Sequence, residues 1–315
     1  MSRTIRVAGA QMGPIQKADG RAAVVTRMLT LMDRARAAGC DLVVYPELAL
    51  TTFFPRWYAA DIARMDRWFE RAMPNETTRP LFERAKTYGI GMCLGYAELC
   101  EEDGAIHRYN TCILVDQGGT QVGKYRKVHL PGHAEHEPER AWQHLEKRYF
   151  EPGNLGFPVW RAMGANMGMC ICNDRRWPET FRVMGLQDVE LVMLGYNTPC
   201  GNALSAAEPP ELRMFHNHMC MQAGAYQNAT WVVGVAKCGD EDGHELMGGS
   251  VIIDPDGVIV AEAETLDDEL IVAECDLDRC QFNKRTVFDF AAHRRPEHYG
   301  LIVERTGAKP PETDA

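Results

Sequence analysis

The sequence predicts an α/β fold in which β-sheets carry helices on their outer faces. Short apolar runs bounded by turn residues recur from residue 5 to residue 276 and read as strands. Two longer stretches, 19–38 and 208–227, space their apolar residues at helical period. The stretches ILVDQGGTQVGKYRK (113–127) and VIIDPDGVIVAEAE (251–264) both run apolar strand, Asp, Gly-containing turn, apolar strand. That similarity hints at a duplicated unit of strands and helices. A length of 315 residues suits one large α/β or all-β domain, and no Ser/Gly-rich linker divides it, so a single domain over 1–315 is expected.

Taken in order, IRVAGAQ (5–11) alternates and predicts a strand. Residues 19–38 predict a helix with Val24, Val25, Met28, Leu29, Met32 and Ala35 on its inner face, stopped by Gly39. DLVVYPE (41–47) predicts a buried strand closed by Pro46; GIGMCLGYAEL (89–99) and NTCILVD (110–116) predict two more. A polar loop follows over about 130–156. FPVWRA and MGMCIC (167–172) return to strand, and Trp177-Pro178-Glu179 opens a helix with Pro in the first turn, where its missing N–H costs nothing. ELVMLGY (190–196) is the next strand. Glu208–Gln227 predicts a helix with Leu212, Phe215, Met219, Ala223 and Tyr226 on one face. TWVVGVA (230–236), the 250–264 hairpin and ELIVAECD (269–276) complete a β-rich end.

Composition excludes several classes. A net charge of −10 without a basic cluster argues against a nucleic-acid partner. No run reaches the roughly 18 apolar residues of a membrane helix. No export signal is visible, so the cytoplasm is the expected compartment and the eleven cysteines are expected to be reduced. No Cys/His spacing suits a metal, and no cofactor motif is present, so neither is expected.

Three reactive side chains stand at or near strand ends, where open α/β sheets place their sites. Glu47 follows DLVVYP, Lys127 stands in GKYRKVHLP, and Cys172 follows MGMCI. A thiol, a carboxylate and an ammonium make a workable acyl-transfer set. The thiolate attacks a carbonyl, the carboxylate takes the proton and later activates water, and the cation stabilises the oxyanion and holds down the thiol's pKa. On that account Cys172 is the thiol expected to oxidise first. Each residue also has an ordinary role: strand-end Glu as a solvated edge, hairpin Lys as decoration, strand Cys as core.

The motifs VVYPELAL, GKYRKVHLPG and MGMCICNDRRWPE, in this order, resemble the nitrilase (carbon–nitrogen hydrolase) superfamily over nearly the whole chain. Within it, PELALTTFFPRW, HLEKRYFEPGNLGFPV, GYNTP, MQAGAYQN and HRRPEHYGLI are similar to the N-carbamoyl-D-amino-acid amidohydrolases. The resemblance implies a four-layer α-β-β-α sandwich, a Glu47–Lys127–Cys172 triad and a second glutamate, Glu146. It implies hydrolysis of N-carbamoyl-D-amino acids to the amino acid, ammonia and carbon dioxide through a cysteine acyl-enzyme. The alternative is another amidase of the superfamily or a β-ureido acid hydrolase. A homo-oligomer, dimer or tetramer, is implied too, with the chain from about 280 onward in subunit contacts.

A carbamoyl amino acid carries a carboxylate that needs a cation, and Arg175 and Arg176 follow the nucleophile closely enough to supply one. By the residues alone they equally suit solvent or Asp174; by resemblance both face the substrate. His129 and His144 flank Lys127 and Glu146 and suit hydrogen bonds to the substrate or to Glu146. Asn173, Asn197, Thr198 and His216 complete the expected binding set, with the Asn173 N–H as a second oxyanion donor. Phe53, Phe54 and Trp57 suit either a pocket wall or core. Rival readings are a papain-like pairing of Cys172 with His129 or His144, and a non-catalytic binding protein on the same fold.

Overall fold

Two six-stranded sheets pack face to face. In the first, the order is β14 (Glu269–Asp276), β1 (Thr4–Gln11), β2 (Leu42–Val44), β3 (Gly91–Glu102), β4 (Ala105–Val115) and β5 (Gln121–Arg126). In the second, it is β13 (Ile259–Glu262), β12 (Val251–Ile253), β9 (Trp231–Ala236), β8 (Leu191–Tyr196), β7 (Ala165–Ile171) and β6 (Val159–Ala162). The computed structural model describes residues 3–140, 143–201 and 208–311.

The sheets share one plan. Three parallel strands, β1-β2-β3 or β7-β8-β9, are followed by an antiparallel pair, β4-β5 or β12-β13. An antiparallel edge strand, β14 or β6, closes the other side. The two look-alike hairpins therefore occupy matching places, which gives the sequence similarity a structural counterpart.

Parallel strands are covered on both faces, so they read as continuous apolar runs. In β2, Leu42 and Val44 point into the layer between the sheets, while Val43 points to the outer helices. The inter-sheet layer also takes Met167, Met169 and Ile171 from β7. Full burial of each such aliphatic side chain stabilises by roughly 1.5–3 kcal/mol. Helices α1 (Arg21–Ala37) and α2 (Arg79–Tyr88) cover the first sheet; α4 (Pro178–Gly185) and α5 (Pro210–Asn228) cover the second. The result is the four-layer α-β-β-α sandwich.

Helix α1 buries Val24, Val25, Met28, Met32 and Ala35 as expected, with Leu31 rather than Leu29 as the sixth, and Gly39 (φ 73°) takes the left-handed turn that ends the stretch. Helix α5 corrects its expectation. The apolar stripe read as its inner face points outward: Leu212, Met219 and Tyr226 are exposed and Phe215 is 59% exposed. The buried face is Arg213, Asn217, Met221, Gly224, Ala225 and Asn228. Polar tethers choose it. Arg213 donates to the Pro199 carbonyl and Asn217 to the Tyr196 hydroxyl. Gly224 lets Phe181 of α4 approach, since a Cβ there would lie 2.6 Å from that ring. After α6 (Leu277–Arg285) come two short helices, α7 (Phe290–His293) and α8 (Gly300–Glu304), neither with a buried residue. Among the described residues no helix is long and apolar enough to cross a membrane.

Candidate active site

The carboxyl ends of β2, β5 and β7 meet at one edge of the inter-sheet layer. Strand β2 stops at Val44, and the chain reaches Glu47 through a turn in which Leu48 has φ 47°. A glycine from each sheet makes room for this turn. A Cβ on Gly195 of β8 would lie 2.3 Å from the Glu47 nitrogen, and one on Gly95 of β3 would lie 2.6 Å from the Pro46 oxygen. Lys127 directly follows β5. Cys172 directly follows β7, with φ 50°, the left-handed conformation that a non-glycine residue adopts at a cost. A 3-10 turn over Cys172–Arg176 then leads towards α4.

The four side chains converge and are almost wholly buried. The Lys127 ammonium donates to Glu47 Oε1 at 2.8 Å and to Glu146 Oε2 at 2.6 Å. Glu146 opens α3 (Glu146–Tyr149). Glu47, Glu146 and Cys172 each bring one ligand-type atom within 4.8 Å of the others, and the ammonium of Lys127 lies between the two carboxylates. Glu47 accepts further bonds from Asn110 Nδ2 (2.7 Å) and the Asn197 N–H (2.9 Å). Asn197 Nδ2 donates to the Glu47 carbonyl, and the Asn197 carbonyl lies 3.9 Å from Cys172 Sγ. His144 Nε2 sits 2.9 Å from Glu146 Oε1.

Burial pushes the Cys172 thiol above its ordinary range, and the Glu47 carboxylate adds to this; Lys127 and Arg175 only partly offset them. The expectation of a lowered Cys172 pKa is therefore corrected: burial and Glu47 favour the neutral thiol. Burial works against the charge of Lys127, but its acidic neighbours, Cys172 when ionised and the Glu146 and Glu47 carboxylates, outweigh it and hold the ammonium above the usual lysine range. Burial likewise opposes the Glu146 charge, and Lys127 and His144 more than restore it. A neutral thiol beside a carboxylate, with a fixed cation opposite, can pass its proton as it attacks.

A cavity of about 300 Å³ opens over Cys172. Asn173, Arg176, Asn197, Thr198, His144 and His216 line it. Two expected residues do not. Arg175 is buried beneath the site, where it donates to the Cys172 carbonyl (2.6 Å) and Thr198 Oγ1 (2.9 Å) and lies over the Tyr196 ring. The 3-10 turn, at three residues per turn, sends consecutive arginines in different directions. His129 is held by Asp174 at 2.8 Å and stacks on Phe157 and Trp177, behind the wall of the cavity. Neither lines the cavity, contrary to the expectation for them. Phe53 lines the cavity, whereas Phe54 belongs to a satellite core with Trp68 and Phe150.

Sequence reasoning missed Asp174. Its buried carboxylate accepts from the Tyr125 hydroxyl, the Ile171 N–H and the His129 N–H, and so ties the end of β5 to the turn that bears Cys172. It also missed Asn110 on Glu47, and the lining residues Arg56, Arg140, Glu208 and Arg213. Polar and charged residues ordinarily read as solvated, and nothing local marks these as inward.

The carbon-nitrogen hydrolase family model matches residues 6–285. The N-carbamoylputrescine amidase of Arabidopsis thaliana is 30% identical over 88% of this chain and 89% of its own length. A nitrilase of Pyrococcus abyssi is 30% identical over 94% and 99%, and a citrullinase of Francisella tularensis is 31% identical over 66% and 70%. A carbon-nitrogen hydrolase from Helicobacter pylori G27 superposes with a TM-score of 0.81, covering 96% of this chain and 99% of its own at 20% identity. These names fit the broader amidase alternative better than the D-amino-acid specificity implied by the sequence resemblance. With its family model spanning most of the length, the chain belongs to the carbon-nitrogen hydrolase family and is an enzyme that cleaves amide carbon–nitrogen bonds.

Proposed function

We propose that this enzyme hydrolyses the N-carbamoyl group of small carboxylic acids, N-carbamoyl amino acids of the D series among them. The cavity's charge carries the reading. Of its lining arginines, Arg56 pairs with Glu241, Arg140 with Glu137 and Arg213 with Glu208; Arg176 has no carboxylate partner among the described residues. A guanidinium without a counter-ion, steadied by Asn173 Oδ1 at 3.1 Å at the mouth of a nucleophile's pocket, suits a substrate carboxylate. The names N-carbamoylputrescine amidase and citrullinase support the carbamoyl half of the proposal. Preference for the D enantiomer rests on the sequence resemblance.

In the reaction, Cys172 Sγ attacks the carbamoyl carbon while Glu47 takes the thiol proton. Lys127 and the Asn173 N–H stabilise the oxyanion. The carbon–nitrogen bond to the terminal amine breaks, Glu47 returns the proton, and ammonia leaves. Water deprotonated by Glu47 and oriented by Glu146 then cleaves the thioester, and the released carbamic acid loses carbon dioxide.

Ammonia release is measured with N-carbamoyl-D- and L-amino acids, N-carbamoyl-β-alanine and N-carbamoylputrescine. Cys172→Ala should abolish turnover without unfolding. Arg176→Ala should raise KM for the acids about 10- to 100-fold, the weight of one charged hydrogen-bonded contact, and spare the amine. Faster turnover of N-carbamoylputrescine, with Arg176→Ala indifferent, would replace the acid reading with an amine one. We also propose a homo-oligomer that covers the outer stripe of α5 and the chain from about 280, because apolar side chains crowd both.

A further inference from the structure

Beside the catalytic groups lies a second buried ionic cluster that the reaction does not use. Glu241, just past β10 (Cys238–Asp240), has no exposed surface. Its Oε1 accepts from Lys237 Nζ at 2.9 Å and its Oε2 from Arg56 Nη2 at 3.0 Å. Burial opposes the Glu241 charge, but Lys237 and Arg56 hold its carboxyl below the usual glutamate range, so it stays ionised. Burying three ions costs as much as their attraction returns, so stability alone does not explain the cluster.

What the cluster grips is the chain after Glu47. Lys237 Nζ donates to the Thr51 carbonyl (2.7 Å). Glu241 Oε2 accepts the Phe53 N–H (2.7 Å), and Arg56 Nε donates to the Phe53 carbonyl (2.9 Å). Phe53 is thus fixed on both sides of its own backbone. The same segment seats Glu146. The Pro55 carbonyl accepts the N–H of Leu145, the residue before it, at 2.7 Å. The Phe53 ring meets His144 edge-on at 5.5 Å, and His144 holds Glu146.

We propose that Glu241, clamped by Lys237 and Arg56, is a positioning residue for Glu146: it fixes segment 51–57, which supplies the backbone acceptor and the aromatic edge that set Glu146 against Lys127. This rests on the proposed role of Glu146 in hydrolysis. Its consequence is a split in the kinetics, because the cluster acts on turnover and leaves the Arg176 contact alone.

A double-mutant cycle of Glu241→Gln and Glu146→Gln tests it, with kcat and KM read from ammonia release on N-carbamoyl amino acids and folding checked by circular dichroism. Glu241→Gln alone should lower kcat at least about tenfold and leave KM within about twofold; in the Glu146→Gln background the same change should cost under about threefold. An equal cost in both backgrounds would reduce Glu241 to a merely structural residue and overturn the proposal, as would a rise in KM with kcat unchanged. Full turnover by Glu146→Gln alone would instead remove the role assigned to Glu146. Should Glu241→Gln fail to fold, Glu241→Asp, which keeps the charge and shortens the reach, enters the same cycle with the same expectations.

Discussion

At Cys172 the chain leaves β7 in a left-handed conformation, and the sulfur arrives in a dry pocket beside a carboxylate. Burial first, and Glu47 next, favour the neutral thiol; on the proposed mechanism its proton passes to Glu47 as the sulfur attacks. Iodoacetamide should therefore label Cys172 slowly at neutral pH and faster as pH rises above the ordinary thiol range. Replacing Glu47 by Gln removes the acceptor of the thiol proton, which should slow labelling severalfold at neutral pH while turnover is lost; mass spectrometry of the labelled peptide reads the rate. Unchanged or faster labelling would mean that Glu47 does not take the thiol proton. Glu47, Lys127, Glu146 and Cys172 are legible in the sequence because each stands in a recognisable motif. Asp174 and Asn110 are not, because each is an ordinary polar residue whose partner arrives from 49 or 63 positions away.

Among elements, the strands and α1 are readable because a covered strand must be apolar and an amphipathic helix must repeat. Helix α5 misleads for a physical reason. Its inner face is fixed by Arg213, Asn217 and Gly224, through two tethers and one close approach, while its apolar residues lie outside. Small residues do similar hidden work at β8, where only the lack of a Cβ at Gly195 lets the turn bearing Glu47 enter. Gly195→Ala should push that turn away from Cys172, lowering kcat at least about tenfold and destabilising the protein by about 1–3 kcal/mol, the usual cost of overpacking. Turnover and melting temperature measured together check this, and a fully active Ala variant would show that the turn yields freely.

Across the whole molecule, the four-layer plan and the matching of the two sheets follow from patterns visible in the chain, but the contact surface of the proposed oligomer does not, since the outward apolar stripe of α5 reads in the sequence as an inner face. If the α5 stripe is that contact, Phe215→Glu should convert the assembly to smaller species in sedimentation and leave the secondary structure unchanged; an unaltered sedimentation profile would move the contact elsewhere. The division of labour between the sheets has a further consequence. The first brings Glu47 and Lys127, the second Cys172. On the proposed mechanism the two halves act as a two-key lock: a chain whose sheets have not yet packed together should hold no working hydrolytic centre.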